Sequence, residues 1–293
     1  MNIISLLRYI TSHPLNKKNK IKAILRFIKW QINTKLNPFP VIYQFTDKSK
    51  LIIQKGMTGA TQNLYCGLQE FNEMAFTIHF LRQEDCFADI GANIGSYTVL
   101  ASAHVKARSI SLEPVPATFN HLVNNISINK IQELVSVYNM AAGSQKGTIN
   151  FTSSLDTMNH VAEETDLDII EVPVITIDEI LIDKKMPILF KIDVEGFETE
   201  VINGASKSLQ NEELKAIIIE LNGSGSRYGY NESEIHDKLI SLNFKPFQYD
   251  PMKRTINPLQ SFGTHNTIYI RDTDFVKHRL LTSQQFNVLN HKI

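Results

Sequence analysis

From about residue 84 to residue 270, short apolar runs alternate regularly with longer helical patterns. Strands of this kind are buried on both faces, so the alternation predicts an α/β fold, a mostly parallel sheet with helices on both faces. No long helix separates the last two strands, which predicts an antiparallel hairpin at the edge of a seven-stranded sheet. The seven predicted strands are 86–90, 109–112, 135–139, 188–192, 216–221, 244–249 and 267–270.

The regions outside this alternation set the expected domain organisation. We predict an N-terminal basic helical extension and lead-in at 1–80, the α/β domain at 81–273 and a C-terminal tail at 274–293. A chain of 293 residues is long enough for one large domain with an appendage. Within the domain, residues 152–171 form a polar detour between two further strands, and we expect this detour to help shape a substrate pocket.

The first 46 residues carry eight lysines and arginines and neither aspartate nor glutamate. Within them, residues 19–33 predict a helix, because apolar residues recur at helical spacing with basic residues between them. The apolar positions are Ile21, Ile24, Leu25, Ile28 and Ile32. Such a helix either docks on the domain with its lysines in solvent or lies on an anionic membrane surface. Both interpretations stay open, and peripheral membrane contact is one predicted interaction.

Composition argues against several other classes of protein. The formal net charge is zero, so we predict no nucleic-acid partner. Cys66 and Cys86 are the only cysteines and show no CxxC spacing, which argues against a zinc site or a disulfide scaffold. No apolar run approaches the roughly 20 residues of a membrane span, and the first ten residues lack the features of a signal peptide. We therefore expect a cytoplasmic protein, membrane-associated if the basic helix binds lipid.

A glycine-containing turn at residues 89–95 follows the first predicted strand and reads D-x-G-x-N-x-G. Gly91 and Gly95 allow positive φ and close approach of a ligand, and the next helix points its backbone N–H groups at that ligand. A dinucleotide fingerprint would have glycine where Asn93 stands, and Asp89 would repel a pyrophosphate. S-adenosylmethionine has no phosphate and carries an ammonium and a sulfonium, so it suits this turn better. Asp89 would act through a water or by supporting the loop.

Glu113 ends the second predicted strand, 18 residues after Gly95. An acid at this position accepts hydrogen bonds from both ribose hydroxyls of a bound nucleoside. Asn139 and Ala141 follow the third strand, where backbone contact with adenine is expected. Together with the glycine turn, these residues predict a cofactor site at the carboxyl edge of the sheet.

Several of these segments resemble the FkbM-type methyltransferases. The resemblance rests on D-x-G-x-N-x-G at 89–95, L-E-P at 112–114, residues 174–181, K-x-D-x-E-G-x-E at 191–198 and the Ile-Glu pair at 219–220. It covers about residues 84–272, and the 191–198 run is its most specific element. It implies a class I, Rossmann-like methyltransferase fold and methyl transfer from S-adenosylmethionine, usually to a hydroxyl of a sugar, polyketide or other secondary metabolite. The predicted partner is thus a small-molecule or glycan acceptor.

The acidic cluster after the fourth strand is the predicted catalytic centre. Methyl transfer to oxygen needs a hydroxyl held close to the methyl group and a proton acceptor beside it. Asp193 or Glu195 would orient and deprotonate the acceptor, since closely spaced carboxylates raise one another's pKa. The pair could instead hold a divalent metal. No histidine or further carboxylate obviously completes such a site, so none is predicted. Lys191 is equally consistent with an ion-paired strand residue or a substrate role.

The predicted substrate contacts lie at the ends of later elements. Glu220 and Asn222 close the fifth strand, and the loop 223–230 that follows supplies Tyr228, although a plain surface loop is an equal interpretation. His160 lies on the polar detour and His265 precedes the last strand. The rival functions are a cofactor-binding scaffold without catalysis, which the full acidic cluster disfavours, and a nicotinamide-dependent oxidoreductase, which the glycine turn disfavours.

Overall fold

The computed structural model of the protein describes residues 3–293. Its strands are β1 Val41–Thr46, β2 Ser49–Ile53, β3 Cys86–Ile90, β4 Arg108–Leu112, β5 Val135–Tyr138, β6 Ala141–Ala142, β7 Gly147–Thr152, β8 Ile169–Ile175, β9 Leu189–Ile192, β10 Ala216–Glu220, β11 Lys245–Asp250, β12 Thr255–Pro258, β13 Asn266–Ile270, β14 Asn287–Val288 and β15 His291–Lys292.

The helices alternate with these strands through most of the chain. They are α1 Ile3–Ser12, α2 Lys20–Leu36, α3 Thr58–Cys66, α4 Phe71–Phe80, α5 Ser96–Val99, α6 Pro116–Asn129, α7 Ile177–Ile180, α8 Glu198–Gly204, α9 Ser206–Gln210, α10 Glu232–Ser241 and α11 Thr273–Thr282. A π-helical segment, Leu100–Val105, continues α5. Short 3₁₀ turns occur at Gln132–Leu134, Asp156–Met158 and Ser224–Tyr228.

The central sheet has the strand order β12-β11-β13-β10-β9-β3-β4-β5. Strands β10, β9, β3, β4 and β5 are parallel, and β13 is antiparallel to both of its neighbours, β10 and β11. The chain builds outward from β3 through β4 to β5, then returns to β9 on the other side of β3. This reversal creates a crevice at the carboxyl ends of β3 and β9, where open α/β sheets bind ligands.

The mostly parallel, Rossmann-like architecture with helices on both faces is confirmed, but the predicted number of seven strands is wrong. The two strands of the predicted hairpin, β11 and β13, pair antiparallel, but an eighth strand, β12, pairs antiparallel with β11 and takes the edge of the sheet. The sequence hides β12 because only Ile256 of its four residues is buried and because it ends in Pro258. Proline is tolerated there because an edge strand does not need every N–H for pairing.

Alternate residues of the central strands pack on opposite faces of the sheet. Phe87, Leu189 and Ile218 belong to the larger hydrophobic cluster, whereas Phe190 and Ile217 belong to a second cluster on the other face. This period of two is what strands impose on their side chains. Burial on both faces explains why these strands read as continuous apolar runs.

The N-terminal and C-terminal regions share the larger of the two clusters. Phe27 and Trp30 of α2 belong to it, as do Leu280 of α11 and Phe286 beyond it. α11 packs against α4, and the C-terminal hairpin β14–β15 lies beside β1. The boundaries proposed at residues 80 and 273 stay predictions. Within residues 3–293, no helix has both the length and the apolar character that crossing a bilayer requires.

Candidate active site

A cavity of about 260 Å³ opens at the carboxyl ends of β3, β4, β9 and β10. It therefore lies at the crevice that the strand order creates. Nine of the residues predicted from the sequence line it: Asp89, Gly91, Asn93, Glu113, Ala141, Lys191, Asp193, Glu195 and Glu220. The structure thus brings the predicted cofactor turn and the predicted catalytic cluster into one cavity.

The turn after β3 is shaped by residues in the left-handed region of backbone conformation. Gly91 has φ 80° and Gly95 has φ 86°, and Asn93 between them has φ 50°. A Cβ on Gly91 would lie 1.8 Å from the carbonyl oxygen of Asp193. Only glycine fits at that position, because the turn after β3 is packed directly against the turn after β9.

Asp89 supports this turn from inside the fold. Its side chain is buried, and its Oδ2 accepts hydrogen bonds from the backbone N–H of Thr98 at 2.9 Å and from the Thr98 hydroxyl at 2.6 Å. Burial raises the pKa of Asp89 to about 6, although the two bonds from Thr98 oppose that rise. Of the two roles foreseen for Asp89, these contacts correspond to support of the loop.

Glu113 directly follows β4, and both of its carboxylate oxygens accept hydrogen bonds from backbone N–H groups. Oε2 accepts from the N–H of Asn93 at 2.9 Å, and Oε1 accepts from the N–H of Val115 at 3.0 Å. Each oxygen keeps a second lone pair for a ligand hydroxyl. Burial raises the pKa of Glu113 to about 7, against the opposing effect of the two N–H donors. Glu113 is therefore fixed in position beside the turn after β3.

Lys191 and Asp193 form the most buried ion pair of the cavity. The Lys191 Nζ lies 2.8 Å from Asp193 Oδ2, and the lysine side chain is only 2% exposed. Burial opposes ionisation of both groups, but their mutual attraction prevails: the pKa of Asp193 is lowered and that of Lys191 is raised. The Lys191 ammonium also lies over the Tyr97 ring, 5.5 Å from its centroid. Both groups are charged at neutral pH.

Two further carboxyl groups lie next to this pair, and their pKa values are raised, whereas that of Asp193 is lowered. Burial, reinforced by the negative charge of Asp193, raises the pKa of Glu195 to about 7 and that of Glu220 to about 9. Glu220 is therefore protonated at neutral pH and shares a hydrogen bond with Asp193. Glu195 titrates close to neutrality. The cavity thus holds a permanent ion pair, a protonated acid and a carboxyl group suited to accept a proton.

Asp193, Glu195 and Glu220 converge closely enough to share a ligand. Each offers a carboxylate oxygen, and these oxygens all lie within 4.8 Å of one another. The expectation that no further carboxylate completes the Asp193–Glu195 pair is therefore wrong. Glu220 joins it because β9 and β10 are adjacent parallel strands that end at the same level, Ile192 opposite Ile219.

Six of the predicted residues lie outside the cavity lining of the described chain. They are Gly95, Asn139, His160, Asn222, Tyr228 and His265. Gly95 is the N-cap residue of α5, and Asn139 donates to the carbonyls of Glu113 and Pro114 at 2.8 and 2.9 Å. Asn139 thus braces the loop that carries Glu113.

Three of the four predicted substrate contacts in this group make local hydrogen bonds, and the fourth is exposed. His160 is buried with Nδ1 2.7 Å from the Met158 carbonyl, and the Tyr228 hydroxyl donates to the Val161 carbonyl at 2.8 Å. Asn222 accepts from the N–H of Ser224 at 2.9 Å. The side chain of His265 is exposed. The structure does not bring these side chains to the cavity, and their substrate roles stay predictions.

One wall of the cavity comes from the chain before β3, which was not predicted. The residues concerned are Thr58, Gly59, Gln62, Gln69, Glu70 and Met74. The Tyr97 hydroxyl donates to Glu70 Oε2 at 2.5 Å and ties this wall to the helix after the glycine turn. No motif marks these positions, because their place depends on how α3 and α4 pack on the sheet.

Comparison with known proteins identifies a family to which the chain belongs. The model of the methyltransferase FkbM domain matches residues 89–246. Hexuronic acid methyltransferase AglP of Haloferax volcanii is 28% identical over 141 residues, which are 47% of this chain and 56% of that protein. A tRNA(Phe) (4-demethylwyosine(37)-C(7)) aminocarboxypropyltransferase of Pyrococcus horikoshii is 36% identical over 59 residues, 20% of this chain and 21% of that protein.

Both curated relatives are matched over less than two thirds of their own length: a little over half of the first and about a fifth of the second. Among solved structures, methyltransferase FkbM from Methylobacillus flagellatus KT is 16% identical, with 73% of this chain and 55% of that chain covered and a TM-score of 0.45. A TM-score below 0.5 is too low to support an inference about activity.

Proposed function

This chain belongs to the methyltransferase FkbM domain family, and from that premise we propose that it is an S-adenosylmethionine-dependent O-methyltransferase. The proposed acceptor is a hydroxyl group of a sugar, glycan or other metabolite. The observation that carries the proposal is that Glu113, the turn after β3 and the Asp193–Glu195–Glu220 group open into one cavity. A ribose-binding acid for the cofactor and a proton acceptor for the acceptor hydroxyl then face the same cavity.

The residues of the cavity fit this cofactor better than a phosphate-containing one. Glu113 keeps free lone pairs for the ribose hydroxyls, and Met140 and Ala141 supply apolar lining where adenine is expected. The carboxylate of Asp193 would repel a pyrophosphate but attracts an ammonium or sulfonium. When bound, S-adenosylmethionine supplies an electrophilic methyl group carried on sulfur.

Glu195 is the proposed general base. Its pKa of about 7 lets it be unprotonated in much of the protein and still take a proton from the acceptor hydroxyl as the new bond forms. Asp193 is a weaker base, because its ion pair with Lys191 lowers its pKa. Lys191 and Asp193 then position the acceptor and fix the local charge, and protonated Glu220 donates a hydrogen bond within the group.

The charge of the cavity favours a neutral acceptor. Among the lining residues of the described chain, Lys191 is the one lysine or arginine. Six carboxyl groups also line the cavity: Glu70, Asp89, Glu113, Asp193, Glu195 and Glu220. An acceptor with its own carboxylate would meet like charges, which disfavour its binding. We therefore propose a neutral hydroxyl acceptor, in contrast to the hexuronic acid named for the Haloferax volcanii relative.

The test uses S-adenosylmethionine labelled in its methyl group, with the full chain and two fractions of acceptors, neutral glycans and uronic-acid glycans. We expect label in methyl ethers of the neutral fraction. Label on nitrogen or carbon, or no transfer to any fraction of an extract from cells that express the chain, would contradict O-methylation. Methyl ethers labelled only in the uronic-acid fraction would contradict the proposed neutral acceptor but would still support O-methylation.

A further inference from the structure

Helix α2 carries two apolar faces, and the fold covers only one of them. Ala23, Phe27 and Trp30 are buried against the rest of the protein. On the opposite face, five large aliphatic side chains remain in solvent: Ile21, Leu25, Ile28, Ile32 and Leu36, each 44–80% exposed. Their spacing of three or four residues aligns them in one stripe along the helix. The residues that dock α2 are thus different from those that form the stripe.

Positive charge borders this stripe on both sides. Lys22 and Lys29 project on one side and Lys20 and Lys35 on the other, as helical periodicity requires, and all four are exposed. The surrounding sequence adds no negative charge, because residues 1–46 contain neither aspartate nor glutamate. An exposed apolar stripe between two rows of lysines is the pattern of a helix that lies in a membrane interface.

Neighbouring segments extend the exposed apolar surface. Helix α1 packs against α2 and exposes Ile3 and Ile4, and Phe39 is exposed just after α2 ends. Scattered exposed apolar residues need no explanation, but a stripe together with adjoining exposed apolar side chains does. In water this surface is unfavourable, so a binding surface is the simpler account of it.

We propose that the lysine-bordered stripe of α2 docks on the surface of an anionic lipid bilayer. The aliphatic side chains would enter the boundary between headgroups and acyl chains while the lysines contact acidic headgroups. A second copy of this chain is a poorer partner, because pairing two such faces brings like-charged lysines together. The inference concerns where the protein binds and does not depend on the reaction it catalyses.

The experiment measures flotation of the full chain with vesicles of phosphatidylcholine alone and of phosphatidylcholine with phosphatidylglycerol. We expect binding only when phosphatidylglycerol is present and weaker binding as salt is raised. A Leu25→Glu, Ile32→Glu double variant should bind at least roughly ten-fold less, because two buried aliphatic side chains are lost. A Lys22→Glu, Lys29→Glu variant should bind at least about five-fold less.

Matched changes elsewhere serve as controls. Leu281→Glu replaces an equally exposed apolar residue on α11, and Lys245→Glu with Lys277→Glu reverses two exposed lysines away from α2. These variants should bind as the parent does, and thermal unfolding should show that all variants remain folded. Absence of vesicle binding, or equal binding by the α2 variants, would overturn the proposal. So would a dimer in solution that the Leu25→Glu, Ile32→Glu change dissociates, since the stripe would then be a self-association surface.

Discussion

The Lys191 ammonium lies 2.8 Å from the Asp193 carboxylate, and both side chains line the cavity at the end of β9. This pair influences the pKa values of the neighbouring carboxyl groups. Attraction to Lys191 keeps Asp193 ionised, and the negative charge of Asp193 then helps to keep protons on Glu195 and Glu220. Burial and this ion pair together therefore separate three adjacent carboxyl groups into an anion, a base that titrates near neutrality and a protonated acid.

Replacing Asp193 by asparagine should destabilise the fold. The change leaves the Lys191 ammonium buried without its partner, for which the typical cost is about 3–5 kcal/mol. Glu220 then loses the negative neighbour that adds to the effect of burial on its pKa and ionises more readily beside Lys191, so we expect a smaller loss of about 2 kcal/mol. Urea unfolding of Asp193→Asn measures it, with Asp237→Asn on an exposed helical position as control. A variant as stable as the parent would mean that the pair does not contribute to stability.

The dependence of methyl transfer on pH should report Glu195. Because the unprotonated form is the base, kcat/KM should rise with pH and level off above an apparent pKa near 7. Glu195→Gln should lower kcat/KM by roughly 100-fold or more and abolish this rise. Glu164→Gln, an exposed change on the polar detour, should leave the profile unaltered. A Glu195→Gln enzyme that keeps the parental rate and profile would show that another group accepts the proton.

Gly91 should not tolerate even the smallest side chain. A Cβ there would lie 1.8 Å from the Asp193 carbonyl, and the residue has φ 80°. The turn or the end of β9 must therefore move, and we expect Gly91→Ala to lower the free energy of unfolding by about 2–4 kcal/mol. Gly147→Ala is the matched control, because a Cβ there has no neighbour within 4 Å. Equal stability of the two variants would contradict the close packing of the two turns.

The extent to which sequence specified this structure depends on how local each feature is. The alternation of strands and helices predicted the sheet because burial on both faces leaves a continuous apolar run. The pairing of β12 was missed because Ile256 alone of its residues is buried. Motifs located Glu113 and Asp193, whereas the approach of Glu220 follows from strand order, which no single motif contains.

Features set by packing between distant segments were harder to predict. The periodicity of α2 identified an apolar stripe but not which face of the helix docks, and the aromatic side chains of Phe27 and Trp30 take that role. Glu70 and Gln62 reach the cavity only through the packing of α3 and α4. His160 was expected in the pocket, but its Nδ1 contacts the Met158 carbonyl and the residue lies outside the cavity lining, so its substrate role stays a prediction.

His79 should make the protein sensitive to acid. The ring is buried, with Nδ1 2.7 Å from the Tyr249 hydroxyl, and burial lowers its pKa from 6.5 to about 3. The unfolded chain takes up the proton first, so the stability that His79 contributes is full above pH 6.5 and falls as pH drops towards 3. We expect the difference in free energy of unfolding between the parent and His79→Asn to shrink by roughly 4 kcal/mol over that range. A difference independent of pH would contradict a buried, neutral His79.

The central claim is that the cavity beside Glu113 binds S-adenosylmethionine, and calorimetric titration with S-adenosylhomocysteine tests it most directly. We predict one site per chain, no binding of NAD, and an affinity that Glu113→Gln reduces roughly ten-fold or more through lost hydrogen bonds to a charged group. The exposed change Glu133→Gln should leave the affinity unaltered. Absence of S-adenosylhomocysteine binding, or equal affinity in the Glu113→Gln variant, would contradict the account.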